Sequence, residues 1–274
     1  MLRINSYQDS ASFKANLKSP QLRLSQKDFF IKIKGYGRNT EWAREVKATT
    51  DVAVEMIREK QDCDNILQFI SARIKDANKI PLSIEKRIHS GILRTIRPGY
   101  ECDTKWAGNG LITEYTGINR YSGYADRLNK RLEKPLTNPF PGMELTVPEA
   151  ESLKTRYLHH APFYSINNAL DIVKYQYNAL HKRFKPEKVD SKNIDEINNR
   201  IAKIRWILAH ATPWQRGSDA ISNVFMRALY KAFGVKAGES AQNISFDLEA
   251  YCTNLQEYQK RFPSYFKTPP KVIE

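Results

Sequence analysis

The segment with the greatest potential for chemistry runs from Trp206 to Ile221, where one predicted helix ends and another begins. His210 lies at the end of the first helix, and Ser218 is placed to cap the second. Gly217, just before this serine, allows a close approach of the backbone. The first turn of a helix offers unpaired N–H groups and about half a positive charge, which together attract phosphate or carboxylate. The spacing therefore predicts an anion site beside a histidine.

A neutral imidazole beside such a site can take a proton from a hydroxyl at neutral pH. His210 is therefore the predicted catalytic base for transfer of a phosphate-containing group. The expected donor carries phosphate, the helix end would hold the leaving diphosphate, and Asp219 could hold a divalent cation. The residues expected to bind the donor are Arg216, Gly217, Ser218 and Asp219. The residues expected to position the acceptor are Thr212, Trp214 and Gln215.

A purely structural interpretation fits the same residues. The helix dipole favours a histidine at the C-terminal end of a helix, and Ser218 would be an ordinary N-cap. Thr212 and Pro213 would form a turn, and Trp214 would belong to the core. Loose motif matches often arise by chance, so the sequence leaves both interpretations open.

The order helix, His, Pro-aromatic, Gly, helix resembles the Fic (Fido) family over residues 194–234. The signature of that family is His-Pro-Phe, an acidic residue or Asn, and then Gly-Asn-Gly-Arg. By position, His210 is similar to the family's base and Gly217 to the start of its anion hole. Pro213-Trp214 takes the place of the Pro-Phe pair.

This resemblance implies a transferase that moves AMP, phosphate or phosphocholine from a nucleotide to a hydroxyl of a protein. The expected cofactors are then an ATP-like nucleotide and magnesium. It also implies that the chain could be a secreted bacterial effector, as some members of that family are. The sequence departs from the signature at Ala211-Thr212, which separate the histidine from the proline, and at Ser218-Asp219, which replace Asn-Gly. The second helix lacks the expected arginine, so Arg216 would have to substitute for it.

Other polar residues receive structural roles or none. His159 and His160 are adjacent, so their side chains point in different directions, and a surface pair is favoured over a metal site. Gly35-Tyr36-Gly37 is too short for a phosphate loop. His89 and His181 have no assigned role. Three carboxylates of the last predicted helix are attributed to helix electrostatics: Asp247, Glu249 and Glu257.

Apolar periodicity predicts a mainly α fold, a multi-helix bundle with a small insertion rich in loops or hairpins. The predicted helices are 40–60, 64–78, 166–184 capped by Ser165, 193–209, 218–233 and 245–261. A short strand is expected at 30–34, and the insertion at 98–125 could act as a flap. Residues 1–134 would form an N-terminal helical region and 149–274 the helical core, joined by an ordered proline-rich linker, or both would form one compact domain.

The charge of the whole chain suggests a second class of function. Its 44 Lys and Arg against 30 Asp and Glu give a formal charge of +14, which favours anionic partners. The alternative is therefore a non-catalytic basic protein that binds nucleic acid or another anionic partner, with 14 tyrosines available for stacking. A third hypothesis is an effector that acts by docking alone.

Hydropathy and cysteine content indicate where the protein would act. No stretch approaches the ~20 apolar residues of a membrane-spanning helix, and the amino terminus has polar residues where a signal peptide needs apolar ones. The three cysteines are widely spaced and are expected to be reduced. We therefore expect a soluble, cytoplasmic protein. The resemblance to Fic adds the alternative of delivery into a host cell by a specialised secretion system, with a protein acceptor as the partner.

Overall fold

Helices form most of the framework in a computed structural model of the chain, which describes residues 39–79, 88–96, 103–105, 122–150, 156–185 and 189–273. The mainly α fold is confirmed. The α-helices of these ranges are α1 (Thr40–Arg58), α2 (Cys63–Ala77), α3 (Ser122–Glu133), α4 (Ile166–Arg183), α5 (Ile194–Ala211), α6 (Ser218–Ala232), α7 (Phe246–Cys252) and α8 (Leu255–Arg261). Within the same ranges, no helix is long and apolar enough to cross a membrane.

The strands are short and form two small antiparallel sheets. The first sheet has the order β1-β3-β2 and consists of β1 (Asp103–Lys105), β2 (Val147–Ala150) and β3 (Arg156–His159). The second pairs β4 (Val235–Lys236) with β5 (Lys271–Val272). Short 3₁₀ turns occur at Arg94–Ile96, Phe163–Ser165, Ser191–Asn193 and Phe262–Tyr265.

The first two helices begin at local caps and bury one face each. The Asn39 side chain accepts a hydrogen bond from the backbone N–H of Trp42 at 2.9 Å, and the Asp62 side chain accepts one from Asp64 at 2.9 Å. The apolar residues of α1 repeat at helical spacing and are buried: Trp42, Val46, Ala53, Val54 and Ile57. This face packs against α6 and α2, which ties the first helices to the C-terminal half of the chain.

Helix α5 lies at the centre of the protein. It contacts α4, α6, α7 and α8, and almost every residue of its last three turns is buried. Burial of a large apolar side chain contributes about 1.5–3 kcal/mol, so the Ile, Leu and Trp residues of α5 make it a main source of stability. Because His210 lies in the last turn of this helix, its environment is set by the packing of α5.

Two predicted helix boundaries differ from the structure. The expected helix 245–261 is divided into α7 and α8, because Thr253 is extended and its carbonyl accepts a hydrogen bond from Trp206 Nε1 at 3.0 Å. Ser165 occupies the N-cap position of α4, but its hydroxyl donates to the carbonyl of Pro162 at 3.1 Å instead of capping the helix.

The middle of the chain contains the remaining framework. Helix α3 begins at Ser122, inside the segment predicted as an insertion; most of that segment and the strand expected at 30–34 lie outside the described residues. The proline-rich linker runs from the end of α3 to β2, and its Met143 is buried in the core. One cluster of buried side chains includes residues of α1, α3, α5 and α8.

Candidate functional site

The loop between α5 and α6 is held by a second segment of the chain, residues 88–96. The backbone N–H of Gly91 donates to Arg216 O at 2.9 Å, that of Arg94 donates to Pro213 O at 2.8 Å, and that of Gln215 donates to Ile92 O at 2.9 Å. These bonds make the loop part of a short irregular ladder. The predicted loop is therefore a rigid, packed connection.

Two residues with positive φ shape the ends of this loop. Thr212 ends α5 with φ 42°, and Gly217 precedes α6 with φ 89°. Gly217 is thus the N-cap of α6, and the predicted capping by Ser218 is wrong. The hydroxyl of Ser218 instead donates to the carbonyl of Trp214 at 2.9 Å and lies 3.1 Å from the N–H of the same residue. Ser218, the first residue of α6, therefore ties the start of the helix back to Trp214 in the loop.

His210 lies inside the protein with no exposed surface. Its ring lies between Trp206, with centroids 4.2 Å apart, and Tyr251, with centroids 5.6 Å apart. Its Nε2–H donates to the carbonyl of Ala250 at 3.1 Å. Burial lowers the pKa of His210 to about 3, so the ring is neutral at pH 7. The enclosed ring therefore contacts core residues and not solvent, and the catalytic role of His210 stays a prediction.

The other loop residues named from the sequence are also held by protein contacts. Trp214 is buried, and Gln215 Oε1 lies 2.8 Å from His89 Nδ1. The hydroxyl of Thr212 donates to the carbonyl of Ala209 at 2.9 Å. Arg216 is half-buried. Their roles in positioning an acceptor or binding a donor stay predictions.

Asp219 forms an ion pair with Arg205, a residue that the sequence did not single out. Arg205 Nη2 donates to one Asp219 oxygen, and the other oxygen accepts from Asn223 Nδ2 at 3.0 Å. The Arg205 side chain is buried on α5, whereas Asp219 at the start of α6 is half exposed. Both oxygens that were expected to hold a metal ion therefore already accept hydrogen bonds. The ion pair therefore stabilises the contact between α5 and α6.

A second polar network lies at the end of α5, and sequence reasoning missed it. Arg94 Nη1 donates to the carbonyls of Ala211 at 3.4 Å and Thr212 at 3.3 Å, where the helix dipole is negative. His160 Nδ1 lies 3.1 Å from the hydroxyl of Thr212 and 3.1 Å from that of Thr146. These contacts join residues 94, 146, 160 and 212, which are distant in sequence. The sequence carries no signal for this network, because Arg94 lies 117 residues before Ala211 in the chain.

The pair His159 and His160 does not form the expected surface pair. His159 is exposed and His160 is buried. Burial, together with the positive charge of Arg94, lowers the pKa of His160 to about 3. No group of three His, Cys, Asp or Glu residues in the described ranges could hold a metal ion. The nucleotide and magnesium cofactors stay predictions.

A cleft of about 500 Å³ opens between the end of α3, the proline-rich linker and the β2–β3 sheet. Its apolar walls include Leu132, Leu136, Leu145, Pro148 and Pro162. Two charged residues also line it, and both are engaged: Arg131 donates to the carbonyl of Cys252 at 2.6 Å, and Glu144 accepts from the Tyr164 hydroxyl at 2.7 Å. The cleft therefore presents mainly apolar surface.

Exposed apolar side chains lie around this cleft and form what we call the apolar patch: Ile96, Val147, Phe163 and Tyr164. Val147 and Tyr164 line the cleft, and the rings of Phe163 and Tyr164 are 5.9 Å apart. The 3₁₀ turn that contains Ile96 contacts the one that contains Phe163. Only three other large apolar residues of the described ranges are exposed to a similar degree: Val52, Ile88 and Tyr175. An exposed apolar cluster of this kind is typical of a surface that binds another molecule.

Comparison with known proteins corrects the resemblance drawn from the loop. Residues 154–269 match the model of the AvrB_AvrC family, whose description is "Avirulence protein". No curated protein matches the chain. The family that matches is thus not Fic, so the resemblance to Fic is wrong and Fic-type transfer loses its support. The loop between α5 and α6 shares only the order of a few residue types with that signature. The C-terminal helical part of this chain, from β3 to beyond α8, is similar to avirulence proteins.

Proposed function

We propose that this protein is a bacterial avirulence effector that acts inside a host cell by binding a host protein. The observation that carries the proposal is the family match over residues 154–269. Avirulence proteins are effectors whose presence the host detects, so such a protein would be delivered into host cells. Of the three functions that the sequence left open, an effector that acts by docking agrees best with an enclosed His210.

The apolar patch and its cleft are the surface that we assign to the host protein. Phe163 and Tyr164 lie within the matched segment and are 41% and 64% exposed. Large aromatic side chains at this level of exposure are enriched where proteins bind one another. Tyrosine also combines apolar area with a hydroxyl, which suits a surface that alternates between solvent and a partner.

The sheet beside the cleft indicates the form of the partner. Among the described residues, strand β2 pairs only with β3, which pairs with β1 on its other side, so β2 is an edge strand of this sheet. An edge strand can accept an extended segment of another chain, and an adjacent apolar cleft can take one of its side chains. Since Arg131 and Glu144 are already engaged, the occupant that fits is an extended host segment with uncharged, apolar side chains.

The proposal is tested by host recognition of two matched double variants. Phe163→Asp/Tyr164→Asp changes the apolar patch, and Val52→Asp/Tyr175→Asp changes residues of similar exposure on α1 and α4. Each protein is expressed in host cells, and the resistance response and protein level are measured. We expect wild type and the Val52/Tyr175 variant to elicit the response and the patch variant to lose it.

Two outcomes would count against this proposal. Absence of a response to wild-type protein in every host line tested would contradict the effector function. A full response to the patch variant, with wild-type protein level and melting temperature, would show that the host protein binds elsewhere.

A further inference from the structure

A basic ribbon lies near the carboxyl end of the chain. It shares no residue with the apolar patch that we assign to the host protein. It consists of residues 234–241 and 265–273, which run antiparallel. The N–H of Ala241 donates to Tyr265 O at 2.8 Å, that of Lys267 donates to Glu239 O at 2.8 Å, and that of Ile273 donates to Gly234 O at 3.1 Å. Strands β4 and β5 are its most regular part.

The two faces of this ribbon differ sharply in character. The inner face is buried in the core: Val235, Ala237, Tyr265 and Phe266. The outer face carries three exposed lysines: Lys236, Lys267 and Lys271. Glu239 is the one acidic residue in the two segments. The outer face therefore has a net positive charge.

Two of these lysines are held in an unfavourable arrangement. Lys236 and Lys271 are direct partners in the β4–β5 register. Directly opposed residues of an antiparallel pair lie on the same face with their Cβ atoms about 4.5–5.5 Å apart, and like charges there are destabilising. Glu239 is opposite Lys267 in the ribbon, but among the described residues no carboxylate lies within ion-pair distance of Lys236 or Lys271. An external anionic surface would remove this repulsion.

We propose that the outer face of this ribbon docks the protein onto an anionic membrane surface. Docking onto an anionic membrane needs only a cluster of exposed cations. The net charge of +14 also attracts the whole protein to such a surface over a longer range. Binding of single-stranded nucleic acid also uses exposed aromatic rings, on which bases stack. Both aromatic residues of the ribbon, Tyr265 and Phe266, are buried, which favours the membrane.

The size of the expected effect follows from the charge of each lysine. A lysine near an anionic membrane contributes about 1 kcal/mol, which corresponds to roughly fivefold in the partition coefficient. Loss of three lysines is therefore expected to weaken binding about 100-fold. Because the attraction is electrostatic, higher salt weakens it as well.

Vesicle co-sedimentation with the full chain tests the proposal. The ribbon variant is Lys236→Gln/Lys267→Gln/Lys271→Gln. The control variant is Lys130→Gln/Lys182→Gln/Lys185→Gln, which removes the same charge from exposed lysines elsewhere. Vesicles of phosphatidylcholine with phosphatidylserine are compared with vesicles of phosphatidylcholine alone. We expect wild type and control to bind the anionic vesicles only, and the ribbon variant to lose this binding without a lower melting temperature.

Three results would overturn the proposal. One is an equal loss of vesicle binding in the ribbon and control variants, which would reflect net charge alone. Another is a failure of wild-type protein to bind anionic vesicles. The third is binding of a single-stranded RNA oligonucleotide, but not vesicles, that depends on the ribbon lysines. Each result is independent of host recognition through the apolar patch, because no residue is shared between the two surfaces.

Discussion

At the residue scale, two buried histidines show how exclusion of solvent determines the protonation state of a side chain. His160 and His210 lie near the end of α5, and desolvation lowers the pKa of each to about 3. A charged imidazole loses its hydration in such a place, whereas a neutral one keeps its hydrogen bonds. Both rings therefore act as uncharged parts of the core at physiological pH.

These two histidines predict an acid-dependent loss of stability. In the unfolded chain a histidine has a pKa near 6.5, so the unfolded state binds more protons than the folded state between about pH 6.5 and pH 3. The stability that the neutral rings provide is fully present above pH 6.5 and is lost as pH falls. We expect the free energy of unfolding in urea to decrease by about 3 kcal/mol from about pH 7.5 to about pH 5.5, with roughly half from each ring.

Single variants separate this effect from other titrating groups. His160→Gln and His210→Gln each remove one titrating ring, so each should reduce the pH dependence by about half, whatever its effect on stability at pH 7.5. Unchanged pH dependence in both variants would mean that folding does not lower the pKa of either ring.

At the scale of elements, the contact between α3 and α7 gives an acidic residue a role different from the predicted one. The sequence predicts only a role in helix electrostatics for Glu249, but its side chain is 2% exposed. Its carboxylate accepts two hydrogen bonds from Arg127, at 2.8 and 2.9 Å, and one from the Tyr124 hydroxyl at 2.8 Å. Burial opposes its ionisation, yet these donors outweigh burial and hold the pKa of Glu249 below its usual range. The pair fastens α3 to α7.

Arg127 and Glu249 differ in exposure, so we expect their replacement to lower the stability of the fold by different amounts. Arg127→Met leaves a carboxylate that solvent cannot reach and should destabilise the fold by about 3–5 kcal/mol. Glu249→Gln leaves an arginine that is 30% exposed and can reach solvent, so a smaller cost of about 1–3 kcal/mol is expected. The double variant should lose less than the sum of the two single losses.

Chemical denaturation of the four proteins measures these differences. Glu55→Gln is the matched control, because Glu55 and its partner Arg58 are both largely exposed and such surface pairs contribute about 0–1 kcal/mol. Strictly additive single and double variants would show that Arg127 and Glu249 do not stabilise one another.

At the scale of the whole molecule, the family match and the core have different boundaries. The matched segment 154–269 excludes α1 and α2, yet α1 packs along α6 and contributes Trp42, Val54 and Ile57 to the common cluster of buried residues. A fragment limited to the matched segment would expose the apolar side of α6.

This mismatch predicts the behaviour of fragments. A fragment of residues 154–269 should lack a cooperative thermal transition and a near-ultraviolet circular dichroism signal, whereas the full chain should show both. Cooperative melting of the shorter fragment would show that α1 and α2 are dispensable for the core.

Several elements could be predicted from the sequence because their signals are local. Helices α1, α2, α4, α5 and α6 follow apolar stripes at helical spacing, and their observed ends differ from the expected ones by only a few residues. The break between α7 and α8 could not be predicted in the same way. It depends on Thr253 meeting Trp206, which lies 47 residues away in sequence.

For the candidate site, only the order of helix, loop and helix along the chain could be predicted from the sequence. The loop between a helix that ends at His210 and a helix that begins near Ser218 was placed correctly, but its chemistry depended on neighbours from other segments. Residues 88–96 and Tyr251 enclose it, and no spacing along the chain reveals such contacts. The apolar patch was missed for the same reason, since Ile96, Val147 and Phe163 come from three separate segments.

The sequence by itself determined the positive charge, the mainly helical fold and the position of the α5–α6 loop, because charge is additive and helix formation depends on residues within a few positions of each other. Only the tertiary structure decided which polar groups meet solvent. His210 could have been an exposed base or a core residue, and the packing of Trp206 and Tyr251 around its ring made it a core residue. Burial is a property of contacts between distant segments, so it is decided only when these segments are brought together.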